Sequence, residues 1–506
     1  MSDQTKSAMT GTDEDGSIHK LYEQIIKGSG IAFGANLFDK ALGFLFNIVV
    51  ARFLGASGYG LFVLGWTVVQ FAQPISLLGL PDGVVRYVSK YRSEDSASQV
   101  RGTVFASVAI AGLLGILFGA FMILFSRPLA VRVFEEPALV PLLPILAVAL
   151  PFRVLLTAST SVAVGFKRVG IQQSVLNVAF PILKLGLVAG ALLLGYEIEG
   201  MVTGFALAVT ISALLGLGLI PSLFEDIGFR GPIKTDIKEL LRYSFPVFLS
   251  GFSYLALNQM DRLLLGAFRS SATVGIYNAS SVLSQQGVIF FSALVTIFNP
   301  IASDLYSSNN ITRLETVYQT VSRWVLIFTF PIVVIGSLFA AELLQLFNEQ
   351  FVEGVPVLII LFAAQLLLVA VGPAGELLQM SGFQDIVLFD TVTMLVANVI
   401  LNLFLIPRYG GVGAAVATAV SISGVQLAEL YQTKQYVGIQ PVGIEYVITL
   451  AIGGVFAFTA YLINLLSLPL LPRIGTALGI AVIYALVIWT FAVVEDDKDI
   501  FREFVG

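Results

Sequence analysis

Long apolar runs alternate with short polar stretches along almost the whole chain, and fourteen of the runs are long enough to cross a bilayer as helices. They fall at 29–51, 60–80, 103–125, 139–165, 173–195, 200–221, 243–266, 276–300, 323–341, 355–378, 386–406, 411–431, 444–466 and 474–494. Each holds roughly 20 residues, the length a helix needs for a ~30 Å hydrocarbon core. Between them, apolar residues recur at helical spacing among charges at 84–91, 233–241 and 314–321. That pattern predicts three short interfacial helices linking spans, two of them introduced by Pro81 and Pro300. Ile18, Leu21, Tyr22, Ile25 and Ile26, beside Lys20 and Lys27, predict a fourth on the membrane surface ahead of the first span.

Part of the pattern is written twice. Val133-Phe134-Glu135-Glu136 with Pro144-Ile145-Leu146 returns as Leu346-Phe347-Asn348-Glu349 with Pro356-Val357-Leu358. Gly165-Phe166-Lys167-Arg168 answers to Gly382-Phe383-Gln384-Asp385, Tyr196 with Gly200 to Tyr409 with Gly413, and Tyr59-Gly60-Leu61 to Val274-Gly275-Ile276. The offset stays near 213 positions, so the matches, weak singly, mark a duplication of the kind that builds transporters from two lobes with a site at their interface. Six spans separate equivalents, so both copies share one orientation. The expected division is a tail with its interfacial helix at 1–27, an N-lobe at 28–240, a C-lobe at 241–431, two extra helices at 444–494 and a tail at 495–506.

Composition agrees with the periodicity, because 57% apolar and 12% charged residues, at a mean hydropathy of +0.89, cannot cover a soluble protein of 506 residues. The chain is expected to be an all-α polytopic membrane protein. Residues 1–16 are polar and acidic, unlike a cleavable signal, so the first run is expected to stay as a helix. With the N-terminus inside, 18 Lys and Arg fall on the cytoplasmic side and 6 on the other, which places both termini in the cytoplasm of a cell membrane protein. Asn310-Ile311-Thr312, a formal N-glycosylation acceptor, then faces the cytoplasm and is expected to be empty. Cysteine is absent, so thiol chemistry is excluded.

The dipeptide Gly-Lys of a phosphate-cradling loop occurs nowhere, which leaves an ion gradient, the membrane potential or the substrate gradient as the energy source. His19 is the only histidine, and Glu135-Glu136 with Glu349 come closest to paired carboxylates. No catalysis, cofactor or metal is expected. The chemistry lies in charges within the apolar runs, each costing several kcal/mol at mid-bilayer unless it meets water or a partner. Asn36, Asp39, Lys40, Gly43 and Asn47 form a polar stripe on one face of span one. Arg153 follows Pro151 in span four with Thr157 on its face, and Lys184 in span five stands seven residues after Asn177. In span seven Tyr254, Asn258 and Asp261 share a face with Arg262 at its edge, and span eight adds Gln285. A structural ion pair explains Asp39, Asp261 and Arg262 as well as a functional role does. Lys40, Arg153 and Lys184 exceed the only acid at their depth, Asp39, and that surplus suggests an anionic ligand such as a phosphate or pyrophosphate.

Ala51-Arg52-Phe53-Leu54-Gly55-Ala56-Ser57-Gly58-Tyr59-Gly60 resembles the segment after the first span of Wzx-type polysaccharide flippases, in the multidrug/oligosaccharidyl-lipid/polysaccharide exporter superfamily. Asp261-Arg262-Leu263-Leu264-Leu265-Gly266 with Val274-Gly275-Ile276-Tyr277-Asn278-Ala279 is similar to that family's seventh span and following loop, and Tyr409-Gly410-Gly411-Val412-Gly413-Ala414-Ala415 to its entry into span twelve. The resemblance implies a MATE-like V of two six-helix lobes around a central cavity. It implies a polyprenyl (pyro)phosphate-linked oligosaccharide as cargo, flipped outward by alternating access beside a glycan polymerase or oligosaccharyltransferase machinery. On this reading Lys40, Arg153, Lys184 and Arg262 hold the anionic head, Asp39 and Asp261 serve coupling or ion pairing, and Asn36, Asn47, Asn177, Tyr254, Asn258 and Gln285 line the cavity. Asp39-Lys40 is similar to the acid-base pair of lipid II flippases with its order reversed and Lys in place of Arg. The coupling ion, a proton or sodium, stays open. The rival reading is an ion-coupled multidrug or small-molecule exporter of the same superfamily, and a non-transporting scaffold is a third.

Overall fold

The computed structural model describes residues 12–466 and 468–493, with side chains from Gly34 onward. The apolar stripe at 18–26 and the tail at 495–506 therefore lie outside the described side chains. No strand occurs among the described residues. Twelve helices are long and apolar enough to cross a membrane, and two of these hold two crossings each. Thr12–Leu77 breaks at Gly55 (φ 66°) and Gln384–Gln432 at Gly410 (φ 57°), left-handed conformations that a side chain resists. The count is therefore the expected fourteen.

One of the three expected connectors is a separate helix. Leu80–Ser93 starts after left-handed Gly79 with Pro81 in its first turn, and it buries Val84, Tyr87, Val88 and Tyr91. The other two are corrected. The 314–321 stretch is the opening of one continuous helix, Ile311–Leu338, and 237–241 opens helix Ile237–Phe268. No break follows the expected connector in Ile311–Leu338, and in Ile237–Phe268 Pro246 is accommodated within the helix, so both run on into the span. Pro300 likewise introduces nothing, for it lies inside helix Ile289–Ser307. Asn310 caps Ile311–Leu338, its side-chain oxygen accepting from the Arg313 amide at 3.3 Å.

The backbone carries the duplication more clearly than the residues do. Asp95 and Asn309, about 214 positions apart, both take the left-handed conformation between helices, where Asp and Asn are the tolerated non-glycine residues. Lys167 and Gly382 do the same after spans four and ten, so the turns pair Lys167 with Gly382, and the match of Gly165 to Gly382 is displaced by two residues.

The chain separates into two compact units. Of the described residues, the first comprises those up to 50, 69–127 and 139–249, and the second 51–68, 128–138 and those from 250 onward. In the first, helix Ala97–Pro128 crosses helix Leu142–Gly165 closely, since a Cβ at Gly115 would stand 3.0 Å from Pro151 Cα and one at Gly119 2.8 Å from the Ala147 carbonyl. Small residues substitute here for a hydrophobic drive that lipid does not supply. In the second, the extra helices Ile444–Leu465 and Leu470–Phe491 dock on Ile311–Leu338 through Phe330, Tyr446, Phe456, Tyr484 and Ile488, and Tyr484 donates to the Ile327 carbonyl at 3.1 Å.

The second unit also holds a reciprocal contact. Spans two and eight meet at Gly60 and Gly275, where a Cβ on Gly60 would lie 1.7 Å from the Ser271 carbonyl oxygen and one on Gly275 2.2 Å from that of Ala56. Beside them Ser57 and Ser271 share a hydroxyl hydrogen bond of 3.1 Å, and Asn278 donates to Tyr59 at 2.6 Å. The amide of Ser271, at the start of span eight, donates to the Glu136 carboxylate at 2.6 Å, and the amide of Ala56, at the start of span two, donates to Gln350 at 3.0 Å. Each repeat's loop thus closes the free amide end of the other repeat's helix.

Orientation is tested directly by labelling, because a cysteine-free chain gives no background. Single cysteines at Glu136 and Glu349 should react with an impermeant maleimide in intact cells, whereas cysteines at Asn310 and Gly438 should react only after lysis. The reverse pattern overturns the inside assignment of the Lys-rich and Arg-rich loops.

Candidate functional site

Four of the intramembrane charges converge in the first unit. Span one contributes Asp39 and Lys40, span four Arg153 and span five Lys184, and the charges of Lys184, Arg153 and Lys40 all act on the Asp39 carboxylate. None of the ion pairs within 4 Å among the described residues involves these four. Three cations therefore share one carboxylate without a one-to-one bridge, and the group keeps a net positive charge. Lys40 is exposed, and Asp39, Arg153 and Lys184 are half-buried.

Arg153 and Lys184 are held by uncharged neighbours. Pro151 lies within helix Leu142–Gly165 two residues before Arg153. Arg153 Nε donates to Gln73 Oε1 at 3.4 Å, Gln73 in turn donates to Thr157 at 3.0 Å, and the Thr157 hydroxyl returns to the Arg153 carbonyl at 3.2 Å. The guanidinium lies 5.2 Å from the Phe180 ring, and Lys184 Nζ lies 4.8 Å from Phe46 and 5.4 Å from Phe180. Aromatic faces hold cations without neutralising them. Arg153 Nη1 is buried with no hydrogen-bond partner, an orphan donor of the kind that a ligand oxygen satisfies.

Asn36 and Asn177 also come together in this unit, with Asn177 donating to Asn36 Oδ1 at 2.6 Å and to Gln173 Oε1. Asn47 turns to its own helix, donating to the Gly43 carbonyl at 2.7 Å.

The second unit treats its charges differently. Asp261 is 7% exposed and Arg262 5%. The Asp261 carboxylate accepts from the Tyr277 hydroxyl and, at 2.8 Å, from the Arg262 amide. Arg262 reaches Ser281 at 3.3 Å and the Asn258 carbonyl at 3.5 Å, and Gln285 donates to the same Ser281 at 3.1 Å. Asn258 donates to the Tyr254 carbonyl, and Tyr254 is exposed. Asp261 and Arg262 thus sit in an enclosed hydrogen-bond network, in which Arg262 Nε, like Arg153 Nη1, is buried without a partner.

Sequence reasoning missed five polar residues that the structure ties into hydrogen bonds. Gln73 was visible as a polar residue within an apolar run, next to Pro74. Tyr277, and the buried pair Asn398 and Asn402 bonded at 2.8 Å, read as ordinary span residues. Gln173 sits at the entry to span five, where polar residues are common.

Several known proteins are similar to this chain in sequence or in the arrangement of helices. The family described as "polysaccharide biosynthesis protein" matches residues 25–306. The probable low-salt glycan biosynthesis flippase Agl15 of Haloferax volcanii is 27% identical over 418 residues, 81% of this chain and 83% of that protein. An uncharacterised membrane protein of Methanocaldococcus jannaschii is 27% identical over 419 residues, 78% of this chain and 95% of its own. Among solved structures, lipid II flippase MurJ in an inward closed conformation superposes with a TM-score of 0.73 at 15% identity, covering 91% of this chain and 98% of MurJ. An inward-facing multidrug resistance MATE family transporter superposes at 0.66 with 14% identity, covering 81% and 98%. The fold is that of the MATE-like superfamily.

Proposed function

Because the chain belongs to the polysaccharide biosynthesis protein family, we propose that it is a secondary-type transporter that moves a polyprenyl phosphate- or pyrophosphate-linked oligosaccharide from the cytoplasmic to the outer leaflet by alternating access. Its product would feed surface polysaccharide or glycoprotein glycan assembly. The observation that carries this reading is the unneutralised cation group of Lys40, Arg153 and Lys184 around Asp39. A phosphate head is the ligand such a group attracts, with Arg153 Nη1 free to donate to one of its oxygens. The names of Agl15 and MurJ, both flippases, support the same class. An organic cation, the load of the rival exporter reading, is repelled by this site.

Asp39 supplies the coupling in this proposal. Its carboxylate is shared among three cations and must redistribute when an anion takes two of them. In vesicles reconstituted with the purified protein and a fluorescent short-chain polyprenyl pyrophosphate-linked disaccharide, the wild type should render the probe accessible to outside quencher with time. Asp39→Asn should slow that transfer at least tenfold while binding the probe at least as tightly, because the site loses its carboxylate and keeps its cations. Failure of the wild type to move the probe overturns the flippase reading, and full transfer by Asp39→Asn with unaltered pH and sodium dependence overturns the coupling role.

A further inference from the structure

Nearer the start of spans one and five, on the same helices as the cations, stand three carboxamides. Asn36 precedes Asp39 by one helical turn, and Asn177 precedes Lys184 by seven residues, about 10 Å along a helix axis. Asn177 spends both amide protons inside the group, one on Asn36 Oδ1 and one on Gln173 Oε1. What the cluster presents is therefore fixed. Its free groups are two NH2 donors, on Asn36 and Gln173, flanking one acceptor, the Asn177 carbonyl. The segment Ser174–Ala179, which carries Asn177, is a π-helix, a local departure from α geometry frequent at functional sites.

Three neutral carboxamides with no carboxylate among them give a divalent cation little to hold, and two of their oxygens already accept from Asn177. A second phosphate would find only one sign of partner satisfied, because the Asn177 carbonyl faces it as an unpaired acceptor. Groups that both donate and accept meet all three positions, namely adjacent hydroxyls or an acetamido group with its neighbouring hydroxyl. Half-exposed amides in a lipid-facing position would be costly, so their placement also argues for water and a polar ligand.

We propose that Asn36, Gln173 and Asn177 form a saccharide subsite, which takes the sugar nearest the phosphate while Arg153 and Lys184 hold the phosphate itself. The proposal rests on the flippase reading and adds to it a division of labour. The cations recognise any polyprenyl phosphate, and the amides distinguish a glycosylated carrier from a bare one.

The test measures binding to the purified full-length protein in detergent for short-chain polyprenyl phosphate, bare or carrying glucose or N-acetylglucosamine. The wild type should bind at least one glycosylated probe about tenfold more tightly than the bare one. Gln173→Leu and, separately, Asn177→Leu should reduce that ratio to near one, and Arg153→Ala should weaken bare and glycosylated probes alike with the ratio kept. A melting temperature within a few degrees of wild type excludes misfolding, and Gln173→Glu serves as an isosteric second variant should either leucine variant fail to fold. A wild-type ratio of one for every sugar, or a ratio untouched by the amide variants, overturns the subsite and leaves the flippase reading standing. Failure of the wild type to bind any of these lipids overturns both.

Discussion

Arg153→Ala is expected to abolish surface glycan while the protein reaches the membrane at its normal level. The side chain makes one long hydrogen bond to Gln73 and leaves Nη1 unpartnered, so its removal costs the resting protein little. A phosphate bound there loses charge-assisted hydrogen bonds worth about 1.5–3 kcal/mol, roughly ten- to a hundredfold in affinity. Transport falls further if the same contact is tighter midway through the movement. The measurements are glycan staining of intact cells and immunoblotting of washed membranes. Loss of the protein itself would assign Arg153 to the folding of span four, and normal glycan with normal protein would remove it from the binding site.

Gly60→Ala is expected to destabilise the chain more than any other glycine-to-alanine change within the described spans. The new Cβ falls 1.7 Å from the Ser271 carbonyl oxygen and 2.6 Å from its carbon, positions that only movement of a backbone can relieve. Separating spans two and eight breaks the serine pair, the Tyr59–Asn278 bond and the bonds from Ser271 to Glu136 and from Ala56 to Gln350. At about 1 kcal/mol for each neutral bond and more for the carboxylate, the loss reaches several kcal/mol. Gly186→Ala is the control, since a Cβ there meets nothing within 4 Å. Thermal unfolding in detergent should show a large downward shift for the first variant and little change for the second. Equal melting temperatures would show that the two helices have room to part.

How much of this could be read from the sequence follows from the range of the forces involved. Hydropathy over twenty residues is a local sum, so the fourteen crossings were legible, and so was the duplication. Connector boundaries were not, because amphipathic residues 314–321 look the same whether the helix stops or runs on into Ile311–Leu338. The cations Lys40, Arg153 and Lys184 declared themselves by their cost in lipid. Their company of Gln73, Phe46 and Phe180 did not, since a glutamine or a phenylalanine in an apolar run carries no sign of what it faces. Glu136 is the sharpest case. As half of an acid pair it suggested only chemistry too sparse for an enzyme, and its role became visible once Ser271, 135 positions away, was seen to donate to it.

That contact has a consequence for descent. A precursor half as long, with one such loop and one such helix, has only a second copy of itself to offer the missing acceptor. In that pair the loop of each copy closes the helix of its twin, and symmetry makes the two bonds identical. Joining the copies end to end turns a swap between partners into a tie within one chain, and it frees the two sites to drift apart. Glu136 and Gln350, one residue out of register with the sequence match of Glu136 to Glu349, record that drift as a carboxylate at one end and a carboxamide at the other. It also follows that the two halves, if produced as separate polypeptides, should need each other from the moment of synthesis, for neither carries the cap its own helix requires.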